Sequence, residues 1–173
     1  MIQNIAITSF DREFAKKVGK ELSSILDMFY IDTIELYEFD HIPHTMTDML
    51  KAQGVSEFRD KECGTIGYVT DFANTVITFE SGAIKRKKNI KKIKNSCEFI
   101  YLYKDLECAK TILQNAKYQS TIVKKFFNVP VKTLEIRDNI LQKNADFVIN
   151  ITRKSPGMVA KDIIAKITKK YTN

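Results

Sequence analysis

Glycine and proline are both scarce in this chain, 6 and 3 in 173 residues, so no stretch reads as a flexible or extended linker. Cysteine is scarce too. Cys63, Cys97 and Cys108 are odd in number and lack metal-ligand spacing, which excludes a disulfide framework and predicts reduced structural thiols. The only histidines, His41 and His44, flank Pro43 without a cysteine or carboxylate cluster, and predict solvated polar surface rather than a metal centre. No apolar run approaches the ~18–20 residues that span a bilayer. The amino terminus has neither a basic segment nor a cleavable apolar one. Together these absences predict a cytoplasmic protein with no membrane contact.

Apolar residues make up 44% and charged residues 28%, the balance of an ordinary globular protein, and the length suffices for one domain over residues 1–173 with a core that needs no staples. The charge is uneven. Lys85 to Lys94, KRKKNIKKIK, carries seven basic residues and no acidic one, so a net charge of +7 leaves the rest of the chain neutral. Such a patch suits phosphate polymers or an acidic partner. It equally fits a solvated helix face, because Ile84, Ile90 and Ile93 form a narrow apolar stripe and no aromatics interleave for base stacking. The second reading is the stronger, and nucleic-acid binding is the weakest function considered.

Apolar strand candidates alternate with helical patterns from end to end. The strands are expected at Ile2–Thr8, Met28–Asp32, Thr75–Phe79, Glu98–Tyr103 and Asp146–Ile151. Helical spacing occupies 12–26, 44–52, 55–71, 84–94, 105–117, 119–128, 135–144 and 156–171, the last with Ser155 as cap and Pro156 in its first turn. This alternation predicts a five-stranded parallel sheet in a three-layer α/β/α fold.

The first strand–helix junction has the outline of a phosphate-binding loop. A loop of that kind reads G-x-x-x-x-G-K-[ST]: glycines let backbone N–H groups wrap phosphate, the lysine reaches the outer oxygens, and the hydroxyl holds Mg²⁺. In this chain the corresponding positions are Ser9, Phe14, Ala15 and Lys16. Asp11 and Glu13 fall at the helix N-terminus, where their carboxylates suit the helix dipole and oppose a bound polyphosphate. One residue of offset turns a helix by ~100°, so Lys16 does not stand in for the missing lysine.

The order of segments resembles shikimate kinase, a small P-loop phosphotransferase, over essentially the whole chain. The resemblance rests on IAIT–x9–VGKEL, FYIDTIEL, GVSEFRDKE, VITFESGAI, and IRDNILQKNADFVIN followed by RKSPGMVAKDI. It implies that Arg59 and Arg137 grip a substrate carboxylate, that Phe58 packs against the substrate ring, and that Gly82 is the last glycine of a substrate-facing loop; Glu62, three residues beyond Arg59 on one helix face, is placed to orient it, while without the resemblance the pair reads as surface and Phe58 as core. Planar, permanently charged guanidinium forks suit carboxylate recognition. It further implies that Asp32 assists Mg²⁺ and that Arg153 and Pro156 lie near adenine. Departures from the family pattern are equally specific. A second carboxylate, which holds the substrate hydroxyls, is replaced by Ile34. The T-G-G-G loop is replaced by Phe79-Glu80-Ser81-Gly82, placing a negative charge beside an anionic acceptor. The lid region, Lys110 to Lys125, contains no arginine.

Three functions follow. The first is a shikimate-kinase-like protein without ATP binding or phosphotransfer, which needs no cofactor and binds a small carboxylate or a protein partner. The second is a divergent active kinase using ATP and Mg²⁺, with Asp32 as metal-side carboxylate. The third is a binder of nucleic acid or acidic surfaces through Lys85–Lys94.

Overall fold

The computed structural model describes residues 4–108, 111 and 131–172. Its elements run β1 (Asn4–Ser9), α1 (Arg12–Leu26), β2 (Phe29–Asp32), α2 (Thr33–Asp40), α3 (Met46–Val69), β3 (Thr75–Thr78), a 3₁₀ turn (Ser81–Lys85), α4 (Lys87–Ser96) and β4 (Glu98–Tyr103). They continue with α5 (Val131–Asn144), β5 (Phe147–Asn150) and α6 (Pro156–Thr172). All strands pair in parallel in the order β2-β3-β1-β4-β5.

Central strands covered on both faces need apolar side chains in both directions, and β1 meets that demand: every residue from Asn4 to Ser9 is buried. Ile5 and Ile7 join Val18 and Leu22 of α1 and Val159, Ile163 and Ile167 of α6 in one core. Ala6 belongs to a second core with Ile66 of α3, Ile93 of α4, Phe99 and Tyr101 of β4, and Leu134 and Leu141 of α5. The sheet is therefore the middle of three layers, as the alternation predicted.

The expected strands are all present. Among the described residues the first ends one residue later, at Ser9, and three others are a residue or two shorter than read. A break expected between residues 52 and 55 is also present, inside α3: Gly54 adopts φ 82° and ψ 171°, a conformation only glycine takes without strain.

Two helical expectations are corrected. No helix was expected directly after β2, yet α2 starts at Thr33, because Asp32 turns its carboxylate back onto the N–H groups of Ile34 and Glu35 at 3.1 and 3.0 Å and caps a helix there. The helix expected over 84–94 starts instead at Lys87, since Glu80 caps a separate 3₁₀ turn through the Gly82 N–H. Of the helix expected at 105–117, residues 106–108 and 111 are described and are helical. The segment at 119–128 lies outside the described residues, and so does most of the lid region.

α4 carries the basic run as a solvated face. Lys87, Lys88, Lys91, Lys92 and Lys94 are exposed, while Asn89 and Ile93 are buried, with Asn89 donating to the Ala83 carbonyl at 2.9 Å. His41 lies against the Tyr37 ring at 4.4 Å between centroids, and His44 is exposed. No group of three or more metal-ligating side chains is found among the described residues, and no helix among them is long and apolar enough to cross a membrane. The three cysteines are free thiols.

Candidate functional site

Parallel sheets place their binding residues beyond the carboxyl ends of the strands. Register brings three such ends side by side here, with Asp32 of β2 opposite Thr78 of β3, and Thr78 opposite Ile7 of β1. Apart from Arg153 and Pro156, the sequence-predicted residues divide into two groups along this edge.

The first group lies where β1 meets α1. Ser9, at the position of the loop's first glycine, is buried and donates to the Leu102 carbonyl at 2.9 Å, while its oxygen accepts from the Asp11 N–H at 3.1 Å. Asp11 caps α1, its carboxylate accepting from the Phe14 N–H at 3.1 Å, and Lys104 lies 3.6 Å from its other oxygen. Ala15, at the lysine position, is buried in the core.

The Asp32 side chain is fully enclosed, and both of its oxygens are engaged. Oδ1 accepts from Arg12 as well as from the two N–H groups of α2, and Oδ2 accepts from the Thr78 hydroxyl at 2.8 Å. Lys16 pairs with Glu35. Burial works against its ammonium, but the hydrogen bond to Glu35 prevails and raises its pKa. Arg12 and Lys16 were not singled out in the sequence as partners of Asp32 and Glu35. Their contacts depend on how α1 lies over β2, which spacing alone does not reveal.

The second group sits beyond β3. Arg59, on α3, is buried and donates through Nη1 to both oxygens of Glu62 at 2.8 and 2.7 Å. The i,i+3 spacing on a helix supplies that contact directly. Nη2 of Arg59 lies 2.6 Å from Oε2 of Glu80, and the same oxygen accepts from the Gly82 N–H at 2.9 Å. A side chain at Gly82 would overlap Arg59 Nη2 and Glu80 Oε2, so the glycine is what lets the backbone approach this ion pair. Phe58 is buried edge-on to Tyr37, at 5.5 Å between centroids, in an apolar cluster with Ile34, Met46, Met49 and Leu50. Ile34, which replaces the family's second carboxylate, is therefore part of an apolar wall.

Arg137, on α5, is 4% exposed, and its Nε has no hydrogen-bond partner. Among the described residues its guanidinium forms no hydrogen bond or ion pair. Burial and the neighbouring Arg59 lower its pKa while Glu80 and Glu62 oppose them, so Arg137 lies in the same electrostatic field as Arg59. Lys85, counted in the basic run, belongs to the same field: burial, Arg137 and Arg59 lower its ammonium pKa.

Charges in this pocket are tightly linked. Burial pushes the Glu62 carboxyl up to about 7 against the pull of Arg59. Burial also works against the charge on Glu80, but Arg59 and Arg137 outweigh it and hold that carboxyl below its ordinary value. Arg59 is likewise held more firmly protonated, because Glu80 and Glu62 offset its burial. Arg153 is exposed, with φ 59°, in the turn between β5 and α6. Pro156 opens α6, where the Ser155 hydroxyl accepts from the Met158 N–H at 3.3 Å, the cap expected from the sequence. Both are remote in sequence from the two groups above and make no polar contact with them among the described residues.

Comparison with known proteins bears on the family and the fold. The sequence model of shikimate kinase matches residues 16–168, a span that begins immediately after the Ser9–Ala15 junction. Shikimate kinase of Caldicellulosiruptor bescii is 27% identical over 169 residues, covering 95% of each chain. That of Alkaliphilus oremlandii is 24% identical over 173 residues, covering 96% of this chain and all of its own. Among solved structures, shikimate kinase from Acinetobacter baumannii in complex with shikimate superposes with a TM-score of 0.86 at 20% identity, covering 100% of this chain and 97% of its own. The enzyme from Aquifex aeolicus superposes at 0.77 and 19% identity, covering 96% and 97%. At these identities the structural likeness speaks for the fold, and the sequence match carries the assignment: the chain belongs to the shikimate kinase family.

Proposed function

We propose that this family member neither binds ATP nor transfers phosphate, and that it works by holding a small carboxylate at Arg137, beside Arg59. The observation that carries the first half is the set of internal contacts at the β1–α1 junction. A polyphosphate bound there would have to displace the Asp11 carboxylate from the Phe14 N–H, and that carboxylate would repel it. A magnesium ion would have to displace Arg12 and three other donors from Asp32. The residues present do not fit MgATP, and no step is assigned through it. The second half rests on Arg137, since among the described residues its guanidinium has no hydrogen-bonding partner and its Nε is shut off from water, so an incoming carboxylate would supply the missing acceptor.

The test is calorimetry and thermal melting with MgATP, alone and with shikimate. The expected result is that MgATP gives no heat and leaves the melting temperature unchanged, whether or not shikimate is already bound. A ligand that binds the native state at 100 times its Kd would add about 2.7 kcal/mol of stability, a shift that melting detects readily. Such a shift, or ADP formation dependent on shikimate, would refute the first half. Shikimate binding that survives Arg137→Met would refute the second.

A further inference from the structure

We propose that Glu80 is the specificity-determining residue of this pocket: its carboxylate is a tethered ligand of Arg59 and Gly82, competing there with small carboxylates and leaving Arg137 to receive them. The inference rests on reading the Arg59–Arg137 pocket as a carboxylate site.

Three features support it. Oε2 of Glu80 makes the pair of contacts a bound carboxylate oxygen would make, a charged one to Arg59 Nη2 at 2.6 Å and a backbone one to the Gly82 N–H at 2.9 Å. The contact is built into the chain, because Glu80 is the cap of the Ser81–Lys85 turn and Gly82 has no Cβ to obstruct it. Arg59 is consequently committed on both sides, with Nη1 on Glu62 and Nη2 on Glu80.

The second feature is charge. Arg59, Arg137 and Lys85, an exposed residue that feels the same charges, provide three cations, and Glu62 and Glu80 provide two carboxylates. With Glu62 ionised, the pocket carries one net positive charge, enough for a monoanion. Without Glu80 it would carry two. The residue therefore sets how strongly the pocket attracts anions and which guanidinium is open to them.

The third feature is position. The Glu80 side chain is 12% exposed, against 6% for Arg59 and 2% for Glu62, so it is the most solvent-accessible of the three ion-paired side chains. Its second oxygen, Oε1, has only a weak contact with the Ser81 hydroxyl at 3.4 Å, which leaves it little anchored against displacement.

Shikimate is the probe, as a monocarboxylate, and its methyl ester is the neutral control. Calorimetric titration of the wild type, Glu80→Gln and Glu80→Asp compares a neutral replacement with a carboxylate one carbon too short to span the same contacts. In both variants the affinity for shikimate is expected to rise about tenfold or more, the effect of one added charge-assisted hydrogen bond. Binding of the ester should not change. Unchanged or weaker shikimate binding by both variants, or an equal gain for the ester, overturns the proposal. Two variants guard against misfolding of either one. If wild type and variants bind shikimate equally, and all lose it on Arg137→Met, the carboxylate site stands and the role of Glu80 falls. If neither the wild type nor the variants bind it, both fall.

Discussion

Replacing Arg59 with methionine tests the buried charge cluster most directly. The substitution keeps much of the side-chain volume and removes the cation that Glu62 holds at 2.7 and 2.8 Å and Glu80 at 2.6 Å. Breaking a buried pair from one side destabilises by about 3–5 kcal/mol, because Glu80 is left charged without its nearest cation. The loss should depend on pH in a specific window. In the wild type the Glu62 carboxyl has its pKa raised to about 7, from 4.5. Over that interval the native state binds more protons than the unfolded chain, so stability falls as pH rises, by roughly 1.4 kcal/mol per unit. Above pH 7 the wild type ionises Glu62 against Arg59 and the decline stops. The variant has no cation bonded to Glu62, retains the proton to higher pH, and goes on losing stability. The two should run nearly parallel from pH 5.5 to 7 and then diverge, by about 2 kcal/mol at pH 8.5. Urea denaturation at half-unit steps of pH measures this from the midpoint at constant m-value. A difference below about 1 kcal/mol at pH 7, or one that stays constant from pH 7 to 8.5, would refute the description of Glu62 as a buried carboxyl held by Arg59.

Three further outcomes follow from single contacts. Gly54→Ala should lower stability by about 1–3 kcal/mol through backbone strain, since nothing lies within 4 Å of the added methyl and only the dihedral angles oppose it; denaturant midpoints measure the loss. Tyr101→Phe should destabilise by about 1–3 kcal/mol, because Asp138, buried on α5, loses the phenol at 2.7 Å and among the described residues keeps the Gln142 amide at 2.6 Å. An unchanged melting curve would show that this contact is solvated. Arg12→Ala should cost about 2 kcal/mol, because the enclosed Asp32 carboxylate loses its counter-ion; a melting temperature equal to the wild type's would count against Arg12 in that role.

Much of this molecule was legible in its sequence, for reasons that differ by element. The strands could be read because a sheet covered on both faces requires uninterrupted apolar runs, and IAIT and VIT are such runs. The Arg59–Glu62 contact could be read because three residues along a helix is a fixed geometry. α2 was missed because its defining signal is one side chain: Asp32 ends β2 and caps the next helix at once, with no loop between. The 84–94 helix was misplaced because its apolar stripe extends back to Ile84, while the Glu80 cap makes Ser81–Lys85 a separate tight turn. Arg12–Asp32 and Asp32–Thr78 join residues 20 and 46 positions apart through a crossover and a strand register, and neither distance is encoded locally. Arg137 entered only by resemblance. Its neighbours on α5, Ile136 exposed and Asp138 bonded to Tyr101, give no sign that an arginine there faces the end of β3.

The two halves of the site share one physical logic. At the β1–α1 junction, Asp32 and Glu35 are carboxylates in need of positive charge, and Arg12 and Lys16 supply it. Beyond β3, Arg59 is a cation in need of negative charge, and Glu62 and Glu80 supply it. A tethered group competes with a diffusing one at an effective concentration in the millimolar range or above, without the translational entropy loss of association. Internal pairing therefore transfers to the unliganded chain the stabilisation that a metal or an anion would otherwise bring, and weakens any ligand that must displace it. Arg137 does not follow this pattern among the described residues, being buried, charged and without a hydrogen-bond partner. On the proposed reading it is where binding still lowers free energy most, and a small carboxylate should raise the melting temperature through Arg137 while MgATP leaves it unmoved.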